Sequence, residues 1–258
     1  MKEFKVLYLY FVNSLELHLA TLPTAMIFLV GKIIRYAMFL LFLYFLTSGV
    51  SNIGGYTREQ MLLFYLIFNI IDTSSQLLFR EVYHFRPLIV SGNFDMVLTK
   101  PISPLIRTLL GGPDFIDFGM LIILLTVSGI IISQVHPPGY LVFYSVLLLI
   151  NSLILTAAFH ICVLAIGILT LSVDHLIMVY RDLTSLMRIP VDLFTNPLRT
   201  FLTFVVPVGI MFTFPAKVLF GLLSWQLVVL SLVFGVVGLY LSLKFWNYSL
   251  KHYQSASS

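Results

Sequence analysis

Residues 79–104 read FREVYHFRPLIVSGNFDMVLTKPISP, and this polar stretch separates two long apolar runs. It concentrates charge that the rest of the chain avoids, on Arg80, Glu81, Arg86, Asp95 and Lys100. Of 258 residues, 59% are hydrophobic and 10% charged, whereas ordinary soluble domains carry about 25% charged residues. A soluble chain of this length could not bury so much apolar surface, so we expect lipid to be its solvent. The polar stretch is then a loop between two membrane spans.

The apolar runs predict an all-α integral membrane protein with six transmembrane helices. A hydrocarbon layer about 30 Å thick needs roughly 20 apolar residues per helix. The expected spans are residues 24–48, 59–79, 106–133, 140–171, 173–193 and 224–246. Loop lysines and arginines concentrate on the side that carries both termini, so the positive-inside rule makes that side cytoplasmic. We expect a multi-pass protein of a bacterial-type cytoplasmic (inner) membrane.

Residues 2–22 predict an amphipathic helix that lies in the membrane interface. Leu7, Phe11 and Leu15 recur at helical spacing, while Lys5 and Glu16 fall elsewhere around the helix.

The fifth span, residues 173–193, carries a polar stripe that includes Arg181, Ser185 and Arg188. A charge that faces hydrocarbon costs about 2.5–3.5 kcal/mol on insertion scales. The stripe should therefore face a translocation path or a subunit interface. Asp72, in the second span, is a candidate for the same path, and a structural pairing with Lys32 or Arg35 explains it equally well.

Residues 197–222 are apolar but interrupted by Pro197, Pro207 and Pro215. Proline breaks helical hydrogen bonding, so we expect a re-entrant outer hairpin packed against protein, with Pro207 and Pro215 in an outer gate. In a rival interpretation, residues 174–192 form an interfacial helix and residues 197–222 form a kinked fifth span.

The sequence lacks the motifs of the common catalytic sites. It contains no phosphate-binding loop, no GxGxxG, no HExxH and no CxxC, and no two of its six histidines are four residues apart. We expect a non-catalytic membrane subunit that binds no cofactor or metal and no nucleic acid.

Two motifs resemble a known family. The stretches LIVSGNFDMVLTKPISPLIRTL and IPVDLFTNPLRTFLTFVVPVGIMFTFPAKVLFG are similar to patterns of the uncharacterised ABC transport system permeases, the membrane subunits of type-2 ABC exporters. The likeness covers nearly the whole chain. The stretch GGPDFIDF, residues 111–118, departs from the smooth helix expected there and puts the start of the third span in doubt.

The resemblance implies a permease that exports its substrate and does not hydrolyse ATP itself. Its partners would be two copies of a separate ABC ATPase subunit, which uses ATP and Mg²⁺, and a second permease, identical or homologous. Residues 80–104 would be the segment that couples the ATPase to the spans. From the apolar composition of the chain, we expect the substrate to be an amphiphile such as a lipid, peptide or drug.

Within this coupling segment, we expect Gly92 to allow a tight turn and Asn93 to cap a short helix. Phe94 should then be exposed as an apolar anchor for the ATPase, since aromatic anchors carry much of the energy of such interfaces. The residues assigned to ATPase coupling are Tyr83, Phe85, Arg86, Gly92, Phe94, Asp95 and Lys100.

Two other classes are weighed against this one. A secondary transporter should show inverted repeats, and no repeat between the halves is evident. The other is a non-transporting membrane assembly or interaction protein: an enzyme or assembly factor should show clustered intramembrane His, Asp or Ser, and none is obvious.

The predicted topology is testable by cysteine labelling in a Cys162→Ser background. Cysteines at Asn52 and Pro138 should react with an impermeant maleimide in intact cells, because both positions lie in expected outer loops. A cysteine at Ser91 should react only after the membrane is opened. Labelling of Ser91 in intact cells would contradict the orientation.

Overall fold

The computed structural model describes residues 2–49, 52–171 and 173–254, with side chains from residue 5 onward. Helices dominate these ranges, and no strand occurs in them. The predicted all-α class is thereby confirmed.

Thirteen α-helices follow one another in the described ranges. Their bounds are α1 Lys2–Ala20, α2 Leu22–Ser48, α3 Arg58–Phe79, α4 Phe85–Val90, α5 Phe94–Leu98, α6 Pro104–Leu110, α7 Phe115–Val135, α8 Gly139–Thr170, α9 Val173–Leu186, α10 Asn196–Thr200, α11 Val208–Phe212, α12 Phe214–Leu219 and α13 Trp225–Lys251. Single turns of 3₁₀-helix occupy Arg80–His84 and Val191–Leu193, and a π-helical turn occupies Phe201–Val205.

Five of the described helices are long and apolar enough to cross a membrane: α2, α3 with the turns that follow it, α7, α8 and α13. Helix α9, the expected fifth span, has 14 residues. At about 1.5 Å per residue it is roughly 21 Å long, shorter than a hydrocarbon layer. The expected sixth crossing therefore has no full-length helix of its own and stays a prediction.

Helix α3 lies at the centre of the bundle. Of its most apolar stretch, 72% of the residues are buried, compared with 11% for α2. It contacts α2, α7, α8 and α12. A Thr57 capping box starts it: the Thr57 hydroxyl accepts from the backbone of Gln60, and the Gln60 side chain accepts from the backbone of Thr57.

The expected third span, residues 106–133, is wrong at its start. The chain forms the short helix α6, breaks over residues 111–114 and begins α7 only at Phe115. Pro113 lacks a backbone donor, and a Cβ at Gly112 would lie 2.5 Å from Glu81 Oε2. The GGPDFIDF stretch therefore separates two helices.

Helix α1 packs on this break. The Ser14 hydroxyl donates to the carbonyl of Pro113 (2.6 Å), and the Phe11 ring meets the Phe115 ring edge-on at 4.5 Å. Only Thr21 separates α1 from α2. The interfacial position expected for residues 2–22 stays a prediction.

The proline-broken segment is four short helical pieces, not one long helix. Residues 208–216 are buried, and two hydroxyl groups of α8 donate to carbonyls of this segment. The Ser145 hydroxyl donates to the Pro215 carbonyl (2.9 Å), and that of Ser152 donates to the Met211 carbonyl (2.6 Å). Irregular backbone at membrane depth requires such partners from protein. Its re-entrant course through the bilayer is still a prediction.

Candidate functional site

The coupling segment is ordered throughout as a chain of short turns and helices. A 3₁₀ turn leads from α3 into α4, Gly92 reverses the chain at φ +72°, and α5 follows. A residue with a side chain rarely adopts such a φ, which explains glycine at this position. Ser103 then begins α6 by accepting a hydrogen bond from the backbone of Ile106 (3.5 Å). Asn93, expected to cap α5, makes no side-chain capping bond.

An aromatic core holds the segment against the ends of the long helices. The Phe85 and Phe94 rings meet edge-on at 5.3 Å, and Phe94 meets Tyr253 in the same way at 5.2 Å. The Phe85 ring also lies 6.4 Å from Trp246, in α13. Phe85 is 1% exposed and Phe94 is 0% exposed. The expectation that Phe94 is an exposed anchor is therefore wrong, because both rings are used inside this chain.

Polar contacts fix the same segment to its surroundings. Arg107 pairs with Glu81, and Arg86 Nη1 lies 3.1 Å from Asp174 Oδ2, at the start of α9. The hydroxyl of Tyr253 donates to Asp95 (2.9 Å). Arg86 and Asp95 thus join the segment to α9 and to the C-terminal tail.

The sequence analysis did not identify the side chains that this segment exposes to its surroundings. Met96 is 67% exposed and Val90 is 54% exposed, and Lys100 is exposed as well. Helical spacing contains the signal: Phe94 and Val97, three residues apart, form the buried face of α5, so Met96 points away from it.

Tyr83, also assigned to ATPase coupling, lies outside this aromatic core and this outward surface. It is half-buried and lines an open cavity of about 300 Å³ formed by α2, α3, the 3₁₀ turn and α9 with the turn that follows it. Asp72, Arg181, Ser185 and Arg188 also line it. The structure thus brings together the four residues that the sequence assigned to a path or interface.

The cavity wall is strongly basic. Its lining includes one carboxylate, Asp72, and five cationic side chains: Lys32, Arg35, Arg80, Arg181 and Arg188. Asp72 accepts a hydrogen bond from Gln76 Nε2 (2.8 Å) and forms no ion pair in the described part of the chain. Lys32 pairs instead with Asp117, in α7, so the alternative in which Asp72 forms an ion pair with Lys32 or Arg35 is not found among the described residues.

At the opposite end, one carboxylate joins three segments. Asp192 accepts from the Tyr56 hydroxyl (2.6 Å) and pairs with Lys217 Nζ, in α12 (3.0 Å). Burial raises the pKa of Tyr56, and the hydrogen bond to Asp192 raises it further, so Tyr56 keeps its proton at neutral pH. Pro215 is buried in α12 and Pro207 is half-buried before α11. Their expected role as an outer gate stays a prediction.

The burial of Phe94 gives a stability prediction. Phe94→Ala should lower the free energy of unfolding by about 3–5 kcal/mol, the usual loss for a buried Phe, and should expose residues 85–100 to protease. Thermal unfolding and limited proteolysis in detergent would measure both effects.

Met96→Ala is the matched control, because it shortens an exposed side chain of the same helix. It should leave both readouts unchanged. Equal stability of the two variants would contradict the buried position of Phe94.

Comparison with known families agrees with this architecture. The family model described as ABC-2 family transporter protein matches residues 33–257, which include all five candidate spans except the start of α2. No curated protein and no solved structure matches the chain. The resemblance inferred from the two motifs is confirmed, and the chain belongs to the ABC-2 family of transporter proteins.

Proposed function

We propose that this chain is the permease subunit of an ATP-driven ABC exporter. Membership of the ABC-2 family makes it a membrane component of a transport system and implies association with an ABC ATPase. In the proposed assembly, two ATPase subunits bind ATP and Mg²⁺, and a second permease, identical or homologous, completes the path. The chain lies in the cytoplasmic membrane with both termini inside.

The rigid attachment of the coupling segment carries the proposal. A flexible loop would absorb the movement of a partner, whereas this segment packs through Phe85 on Trp246 and shares a buried apolar cluster with Val173 and Ile177 of α9. Displacing it would therefore move α13 and α9 together, and α9 forms one wall of the basic cavity.

The outward face of the segment suits a protein partner. Met96, Val90 and Lys100 are all exposed. In the proposed interface, Met96 and Val90 form the apolar centre and Lys100 provides a charge at the rim. Interfaces place apolar anchors in the middle and polar groups around them, and methionine adapts well to a facing groove. We assign ATPase contact to Met96 and Val90, and the positioning of this surface to Phe85, Phe94 and Asp95.

The test is affinity purification of the tagged chain from membranes of its native host. We expect an ABC ATPase in the purified complex, identified by mass spectrometry, with Mg²⁺-dependent ATP hydrolysis. Met96→Glu should lose the ATPase because it places a charge at the apolar centre, whereas Met96→Leu should retain it.

Leu222→Glu provides a control for the added charge. Leu222 is 47% exposed in the turn before α13, at the other end of the molecule. This variant should retain the ATPase. Purification without any ABC ATPase, or an unchanged complex in Met96→Glu, would contradict the proposal and favour a protein that works without ATP.

A further inference from the structure

The basic cavity between α2, α3 and α9 contains positive charge that the chain itself leaves uncompensated. Lys32 pairs with Asp117, and Arg80 Nε lies 3.8 Å from Asp114 Oδ2. Arg35, Arg181 and Arg188 form no ion pair within the described residues. With Asp72 as the single carboxylate of the lining, two positive charges remain unmatched even when Asp114 and Asp117 are included.

Unmatched charge of this kind is unfavourable next to hydrocarbon. Charged side chains in membrane-spanning regions are rare, and those present generally face a cavity or one another. Arg35 belongs to α2, which the sequence and its apolar exterior place across the bilayer, and Arg181 faces it from α9. The three arginine side chains around this cavity also repel one another, and a bound anion would attract each of them and offset that repulsion.

We propose that this cavity binds the anionic group, a phosphate or a carboxylate, of the transported amphiphile. That the bound amphiphile is also transported rests on the proposed function. Guanidinium groups hold both anions through paired hydrogen bonds, and arginine is the residue suited to that geometry. A volume of about 300 Å³ lies at the lower end of ligand pockets, which fits a headgroup rather than a whole large amphiphile.

The rest of the lining fits the apolar portion of such a molecule. Phe39 and Tyr65 stack at 4.6 Å, and Phe68 lies beside them on α3. An anionic group at the arginines would leave the adjoining chain or ring against these aromatic faces. Basic and aromatic walls in one cavity select a molecule that is charged at one end and apolar at the other.

Binding can be measured on the purified full-length chain in a non-ionic detergent, without the ATPase. The probes are dioctanoyl phosphatidylglycerol, dioctanoyl phosphatidylcholine and inorganic phosphate, each followed by native mass spectrometry and calorimetry. We expect the anionic lipid to bind about tenfold more tightly than the zwitterionic one, since one charge-assisted hydrogen bond is sufficient for such a ratio. Competition by inorganic phosphate at similar concentration would identify a free anion, rather than a headgroup, as the source of the charge.

Arg181→Gln/Arg188→Gln should abolish the preference for the anionic lipid. Arg199→Gln/Lys251→Gln is the matched control, because it removes two exposed positive charges that do not line the cavity. This control should bind like the parent chain. Both double variants should elute and unfold like the parent, since none of these four side chains is buried.

Two results would overturn the proposal. One is equal binding of the anionic and zwitterionic lipids by the parent chain. The other is loss of self-association in Arg181→Gln/Arg188→Gln with an unchanged lipid preference, which would make the arginines part of an interface between copies. Either result would leave co-purification with the ATPase untouched, so failure of this inference and failure of the proposed function are distinguishable.

Discussion

The pairing of charges in apolar surroundings is the constraint on which this structure depends. With so little charge in the chain, three carboxylates inside the bundle join elements that are distant in sequence. Asp117 joins α7 to α2 through Lys32, Glu81 joins the turn after α3 to α6 through Arg107, and Asp192 joins α12 to the loop before α3. Breaking such a pair would leave a buried charge unmatched, which is costly at low dielectric. The same rule draws attention to the cavity, where the arginines outnumber the carboxylates.

The coupling segment shows how this constraint and aromatic packing act together. Phe85 and Phe94 pack the segment against α13, α9 and the tail, while Arg86 pairs with Asp174 of α9 and Asp95 accepts a hydrogen bond from Tyr253. A force applied at Met96 would therefore reach α9, whose Arg181 faces the cavity. In the proposed exporter, this short path of contacts connects the ATPase surface to the substrate site.

Much of this organisation could be predicted from the sequence, because long apolar runs and helical spacing are local signals. The run that predicted a span at residues 24–48 corresponds to α2, and Arg181, Ser185 and Arg188, which the spacing grouped together, line the same cavity. Burial of Phe94 was missed because its partner Tyr253 lies at the other end of the chain. The break before α7 was visible as GGPDFIDF, but the approach of the Glu81 carboxylate to Gly112 was not, because it depends on how the two segments pack.

The expected charge pairs show where sequence reasoning ends. Lys32 and Arg35 were natural partners for Asp72, since all three lie in the first two spans. In the structure Lys32 pairs with Asp117. Asp117 lies in the first turn of α7, just after the break in the expected third span. Choosing among partners requires the positions of the helices, which a single sequence does not contain.

The central claim is that the basic cavity and the ATPase act on one another through this chain. The most direct measurement is ATP hydrolysis by the reconstituted complex as short-chain phosphatidylglycerol is added, for the parent and for Arg181→Gln/Arg188→Gln. With each curve taken relative to its own basal rate, the account predicts that stimulation of the variant requires at least about tenfold more lipid, as expected for the loss of charge-assisted contacts. Identical stimulation curves for the two complexes would contradict it.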